Sequence, residues 1–155
     1  MNIEDKMEKI PKKTQNVVNR LDDIISNSYD HIGHLGKNQK AILLDAYNTG
    51  LISTVESNDG NIAGFAHYKL PNGDRSKKNM INIYKFVVEP KYQENDFGLE
   101  RKLLANIEEE AKPNIKELRY QIKDSDIRYA SFLESSGFKK QDNSGKYPIW
   151  VKKLK

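Results

Sequence analysis

The sequence predicts a single mixed α/β domain, and three observations carry that prediction. Two segments of helical period come first, near residues 14–27 and 41–47; a strand–helix–strand run lies in the middle, at 80–123; a helix and two short strands close the chain. With 155 residues, 37% hydrophobic and 31% charged, one core under a heavily solvated surface is expected. No run of about 18 apolar residues offers a membrane span.

Each element has a local reason. Residues 1–13 mix Lys, Glu and Pro11 and read as a lead-in to a domain over 14–155. They hold no apolar stretch of the kind a secretory signal needs, so a cytoplasmic protein is the default expectation. Val17, Val18, Leu21, Ile24 and Ile25 then recur at helical spacing, and Ala41, Ile42, Leu43, Leu44, Ala46 and Tyr47 build a second helix that stops near Gly50. At Leu51 the period changes to two. Leu51, Ser53 and Val55 alternate with Ile52, Thr54 and Glu56, Asn58-Asp59-Gly60 supplies tight-turn chemistry, and 61–70 resumes as the antiparallel partner.

After a polar connection from Pro71, Met80 to Val88 is rich in Ile, Tyr, Phe and Val, and reads as a third strand ended by Glu89-Pro90. Leu99, Leu103, Leu104, Ile107 and Ala111 mark an amphipathic helix from Gly98, closed by Pro113. Glu117 to Lys123 is the next strand, parallel to the third because a helix intervenes. Asp126 to Ser136 is a shorter helix with Gly137 at its left-handed cap, and strands at 138–141 and 147–154 flank a turn at 142–145.

The chain has no cysteine, which removes disulfides, thiolate metal sites and cysteine nucleophiles. Its net charge of +4 comes from basic residues scattered everywhere except Arg75–Lys78 and Lys152–Lys155. That lacks the aromatic–basic stripe of a nucleic-acid surface, so no nucleic-acid partner is expected. Beside Asp30, the two histidines His31 and His34 stand three apart and could suggest a metal, but no third ligand is indicated and no metal is expected.

Two blocks of residues resemble the GCN5-related N-acetyltransferase (GNAT) family over about residues 51–155. The first is Asn82-Ile83-Tyr84-Lys85-Phe86-Val87-Val88-Glu89-Pro90-Lys91-Tyr92, then a loop and Gly98-Leu99-Glu100-Arg101-Lys102-Leu103-Leu104. It is similar to the family's central strand, its Val-x-Pro ending and its cofactor helix. The second runs from Leu118 through Asp126 and then Ala130-Ser131-Phe132-Leu133-Glu134-Ser135-Ser136-Gly137-Phe138, like the family's later strand and its helix ending in Gly-Phe.

The resemblance implies a GNAT fold with two N-terminal helices, a mixed central sheet, a cofactor helix after the central strand, and a C-terminal helix plus hairpin. It implies acetyl-CoA as cosubstrate and transfer of the acetyl group to an amine on a small molecule or a protein. The pantetheine arm would enter between splayed strands and bond to the backbone of Val87 and Val88, with the Val88 N–H facing the thioester oxygen. The pyrophosphate would lie at the start of the Gly98 helix, where unpaired N–H groups and the helix dipole favour an anion. The cofactor-contacting set is then Val87, Val88, Asn95, Gly98, Leu99, Glu100, Arg101 and Asp126. A homodimer through the C-terminal strands is a further expectation from the resemblance.

The sequence departs from the family pattern at two places. Anchoring on Leu103-Leu104 puts Asn95, Gly98 and Glu100 at the phosphate-motif positions; anchoring on Gln93 gives Gln93, Asp96 and Gly98. Either way Glu94, Asp96 and Glu100 bring acidic groups toward a diphosphate. At the position where many members carry a proton-donating tyrosine stands Leu133, leaving as alternatives Tyr129, one turn earlier, and Tyr84, which is expected to share a strand face with Phe86 and Val88. Glu89, Tyr84 and His67 are available as the base, and Asp126 as cofactor contact or helix cap. The alternative to a transferase is a catalytically inactive module of the same fold that binds a protein partner.

Overall fold

The computed structural model describes residues 10–28, 38–69, 79–111, 115–122, 127–141 and 148–154. The expected readings at 1–9, 29–37, 70–78, 123–126 and 142–147 lie outside these, among them Asp30, His31, His34 and Asp126.

Helix α1 spans Lys12–Ser28, two residues earlier than the apolar period suggests. Pro11 explains the start: its carbonyl accepts the first helical bond, from the Gln15 N–H at 3.1 Å, while its missing N–H would have no partner there. Helix α2 is Gln39–Asn48. Strands β1 (Ile52–Glu56), β2 (Ile62–Lys69) and β3 (Met80–Val88) follow, then a single 3₁₀ turn at Pro90–Tyr92 and helix α3 (Gly98–Ala111). Strand β4 (Glu117–Gln121), helix α4 (Ile127–Ser135), β5 (Lys139–Lys140) and β6 (Ile149–Lys153) complete the described elements. The sheet order is β1-β2-β3-β4-β6-β5, antiparallel except for the β3–β4 pair. Gly137, at φ 96°, closes α4 as a left-handed cap.

Two cores sandwich the sheet. Val18, Leu21, Ile24 and Ile25 of α1 and Leu43 and Leu44 of α2 pack on Phe65 and Val87. On the opposite face Leu103, Leu104 and Ile107 of α3 and Tyr129, Phe132 and Leu133 of α4 pack on Ala66, Tyr68, Ile81, Ile83 and Phe86. Phe65 opposes Val87 while Ala66 opposes Phe86, so one antiparallel pair feeds both layers by simple alternation.

That alternation is broken once. The β2–β3 register shifts between His67 and Tyr68, because His67 pairs with Lys85 and Tyr68 with Ile83, leaving Tyr84 as an inserted residue. The insertion overturns the expectation that Tyr84 shares a strand face with Phe86 and Val88. Tyr84 is instead half exposed on the opposite face, with its ring edge-on to His67 at 5.4 Å.

Candidate active site: the gap between β3 and β4

The parallel ladder between β3 and β4 runs only from Met80↔Glu117 to Ile83↔Tyr120, although β3 continues to Val88. Among the described residues, five residues of β3 therefore extend past the last β4 pair, leaving beside Phe86 to Val88 a gap in the ladder. On the other side β3 stays tight against β2. The Glu89 N–H donates to the Ala63 carbonyl at 2.8 Å, and antiparallel alternation then directs the groups of Val87 toward Phe65 and those of Phe86 and Val88 toward the gap. Val87, expected to offer backbone groups beside Val88, is thus turned the other way; Phe86 takes its place.

Gly64, opposite Val88, makes the close approach possible. A Cβ there would stand 2.5 Å from the Val87 carbonyl oxygen and 2.9 Å from the Val88 Cα.

Side chains bond three of the groups that β3 turns toward the gap. The Val88 N–H donates to the Tyr129 hydroxyl at 2.9 Å, the Val88 carbonyl accepts from Gln93 Nε2 at 2.8 Å, and the Phe86 carbonyl lies 3.5 Å from the Tyr120 hydroxyl. Tyr129 is buried and reaches Val88 from the first turn of α4, its ring edge-on to Phe86. Leu133, four residues on, is a core residue at 1% exposure.

Just beyond lies the N-terminus of α3. Asp96 Oδ1 accepts the Gly98 N–H at 3.2 Å, and the Arg101 side chain folds back so that its Nε donates to the Asp96 carbonyl at 2.9 Å. Phe97, between them, has φ 59°, a left-handed conformation uncommon outside Gly, Asn and Asp, and packs its ring on Phe132 at 5.4 Å. Asn95 is exposed in this turn, and Leu99 is half buried against the core.

Glu100 does not face a ligand at this helix end. It is 0% exposed and ion-paired with Arg128 of α4, whose other Nη donates to the Glu94 carbonyl at 3.1 Å and whose guanidinium lies over the Phe97 ring at 4.8 Å. The acid that the resemblance placed beside the phosphates is therefore turned inward and ion-paired, whereas Asp96 and Glu94 stay at the mouth. Arg128 had no signal in the sequence, because its partner is 28 residues away on another helix.

Glu89, a candidate base, is 2% exposed. Both its oxygens are engaged, with Arg20 Nη1 and Nη2 at 3.1 and 3.0 Å and Asn27 Nδ2 at 2.8 Å. Burial alone would raise its pKa, but the hydrogen bonds from Arg20 and Asn27, with the charges of Arg20 and Lys91, outweigh that and lower it. A carboxylate so held ties α1 to the end of β3 and is a poor proton acceptor. His67 differs: burial first, and then the charge of Lys85, lower its pKa, so its imidazole is neutral near pH 7. A cleft of about 370 Å³ opens beside Gln93 and Leu99, bordered by Asp59, Lys91, Tyr92 and Glu94. Hydrogen bonds from Ser57, Asn61 and Tyr92 hold Asp59 at a pKa of about 2, so it is an anion at any ordinary pH.

Among the described residues no group of three or more His, Cys, Asp or Glu side chains could hold a metal ion, and no helix is long and apolar enough to cross a membrane.

Neither a protein-family model nor a curated protein matches the sequence. The architecture, however, is similar to several solved structures. PaiA N-acetyltransferase from Thermoplasma acidophilum, in complex with coenzyme A, matches with TM-score 0.66 and 18% identity over 99% of this chain and 96% of that one. A GNAT-family acetyltransferase from Staphylococcus aureus matches with TM-score 0.68 and 16% identity over 94% and 96%. An acetyltransferase from Streptococcus agalactiae matches with TM-score 0.71 and 17% identity over 88% and 91%. The chain thus has the GNAT fold, a divergent example of it, as its two sequence blocks implied.

Proposed function

We propose that this protein is an acetyl-CoA-dependent N-acetyltransferase whose cofactor arm enters the gap between β3 and β4. The observation that carries the reading is the early end of the β3–β4 ladder, which leaves the backbone of Phe86 and Val88 directed into a gap beside a helix N-terminus. An extended chain with amide groups can pair with that backbone as a strand would, and a diphosphate suits the first turn of α3. That the PaiA structure holds coenzyme A on the same fold supports the choice of ligand.

Within this reading the Val88 N–H is the donor aimed at the thioester oxygen, where negative charge develops as the amine attacks. Tyr129, whose hydroxyl already lies at Val88, is the candidate proton donor to the departing thiolate in place of Leu133. The carbonyl carbon bonds to the amine nitrogen, the C–S bond breaks, and the sulfur leaves as thiol with a proton from the hydroxyl or from water. His67 is the best-suited base, being kept neutral. It opposes Lys85, three residues before Val88, or roughly 10 Å along the strand, so it would act through water. Leu99 and Arg101 remain candidate cofactor contacts on α3, with Asn95 in the turn before it.

The inactive-module alternative draws on one observation: the Gly98 N–H, which a diphosphate would need, is held by the Asp96 carboxylate. Release of thiol from acetyl-CoA in the presence of small polyamines and peptide N-termini decides between them. Turnover with any amine, lost in Gly98→Glu, supports the transferase. Absence of turnover and of any binding at millimolar acetyl-CoA by the folded protein rejects it and favours the module.

A further inference from the structure

At the free end of β3 a buried backbone donor already has a side-chain partner. Val88 is 0% exposed, so its N–H has no access to bulk water, and its partner is the Tyr129 hydroxyl at 2.9 Å. Tyr129 is itself buried and is held by its ring against Phe86, with the Arg128 guanidinium 5.5 Å from its ring centroid. Packing therefore holds the hydroxyl at this N–H.

We propose that the Tyr129 hydroxyl is the resident occupant of the acyl-oxygen position, and that it sets the preference of the site between acylated and free CoA. The inference rests on the transferase reading, in which the thioester carbonyl seeks the Val88 N–H. A thioester oxygen can reach that N–H only by displacing the hydroxyl, so an acyl-CoA exchanges one hydrogen bond for another and gains little. Free CoA has no carbonyl at that place and leaves the Tyr129–Val88 bond intact. Tyr129 thus levels the two affinities. After transfer, when the carbonyl leaves with the acetylated amine, the hydroxyl returns to Val88.

Phenylalanine at 129 keeps the ring and its packing but deletes the competing oxygen. The Val88 N–H then lacks a partner until a thioester supplies one, and an orphaned buried donor is costly. Calorimetric titration of Tyr129→Phe with acetyl-CoA and with CoA should show acetyl-CoA binding tightened by about tenfold, with CoA affinity within about twofold of the wild type. Unchanged acetyl-CoA affinity in the variant, with CoA still bound by both proteins, would overturn the role of Tyr129 and leave the transferase reading standing. Failure of both proteins to bind either ligand would overturn the reading itself and this inference with it. If Tyr129→Phe does not fold, the wild type alone is read: acetyl-CoA and CoA should bind within about threefold of one another, and acetyl-CoA binding tighter than CoA by about tenfold or more would overturn the role of Tyr129.

Discussion

Replacing Glu89 by Gln separates a structural carboxylate from a catalytic one. Glu89 accepts three hydrogen bonds, two from the Arg20 guanidinium and one from Asn27, and is 2% exposed. Glutamine preserves the volume and one acceptor oxygen but turns an amide donor toward the guanidinium, so one charge-assisted bond is lost outright and the other two are left on a neutral acceptor. Each such bond contributes about 1.5–3 kcal/mol. Arg20 is not stranded, because its Nε still donates to the Ile62 carbonyl at 2.9 Å and its side chain is 24% exposed. This holds the cost below the roughly 3–5 kcal/mol of a fully buried pair broken on one side. A loss of about 2–3 kcal/mol follows, or about 5–10 °C in Tm for a domain of this size.

The pH dependence carries a sign. The folded pKa of Glu89 lies below its unfolded value, so the unfolded chain binds the proton more readily. The stabilisation is fully present above roughly pH 4.3 and is lost as pH falls through the folded value. Thermal unfolding followed by circular dichroism from pH 3 to 7 should therefore show the wild type and Glu89→Gln converging in acid and separated at neutral pH. A gap that is constant with pH, or a loss under about 1 °C at pH 7, would refute the argument. If turnover is found, Glu89→Gln should retain it per folded molecule.

Other outcomes follow from the same geometry. Gly64→Ala drives a Cβ to 2.5 Å from the Val87 oxygen, and backbone cannot yield as a side chain can; guanidinium denaturation should show a loss above about 2 kcal/mol. Arg128→Met leaves Glu100 buried without its cation and should cost about 3 kcal/mol, and Arg128→Met with Glu100→Gln should recover part of it in a double-mutant cycle. Tyr84→Phe, at a half-exposed position, should leave Tm within about 1 °C.

How much of this was legible in the chain depends on range. Strand β3 was readable end to end, Met80 to Val88, because a β-rich run stands before Glu89-Pro90, and the start of α3 at Gly98 followed from its apolar period. The bulge at Tyr84 was not, since an insertion is defined only by pairing with β2, and it flipped that tyrosine to the other face. The orientation of Val87 likewise depends on which pairs of the ladder are bonded, a choice that composition leaves open. The contacts that give the site its character join residues far apart: Val88 with Tyr129 across 41 positions, and Glu89 with Arg20 across 69. Burial of Glu89 and Glu100 ran against the ordinary habit of glutamate, which is why Glu89 was open to a role as base and Glu100, by the resemblance, to one at the phosphates.

The most direct test of the central claim, that the β3–β4 gap and the start of α3 receive the arm and diphosphate of CoA, is amide-resolved NMR of this 17.9 kDa protein during titration with acetyl-CoA. The account predicts saturable shifts at Val88, Gly98, Leu99 and Tyr129 with little change on α1. Shifts confined to other surfaces, or none at millimolar acetyl-CoA, would contradict it.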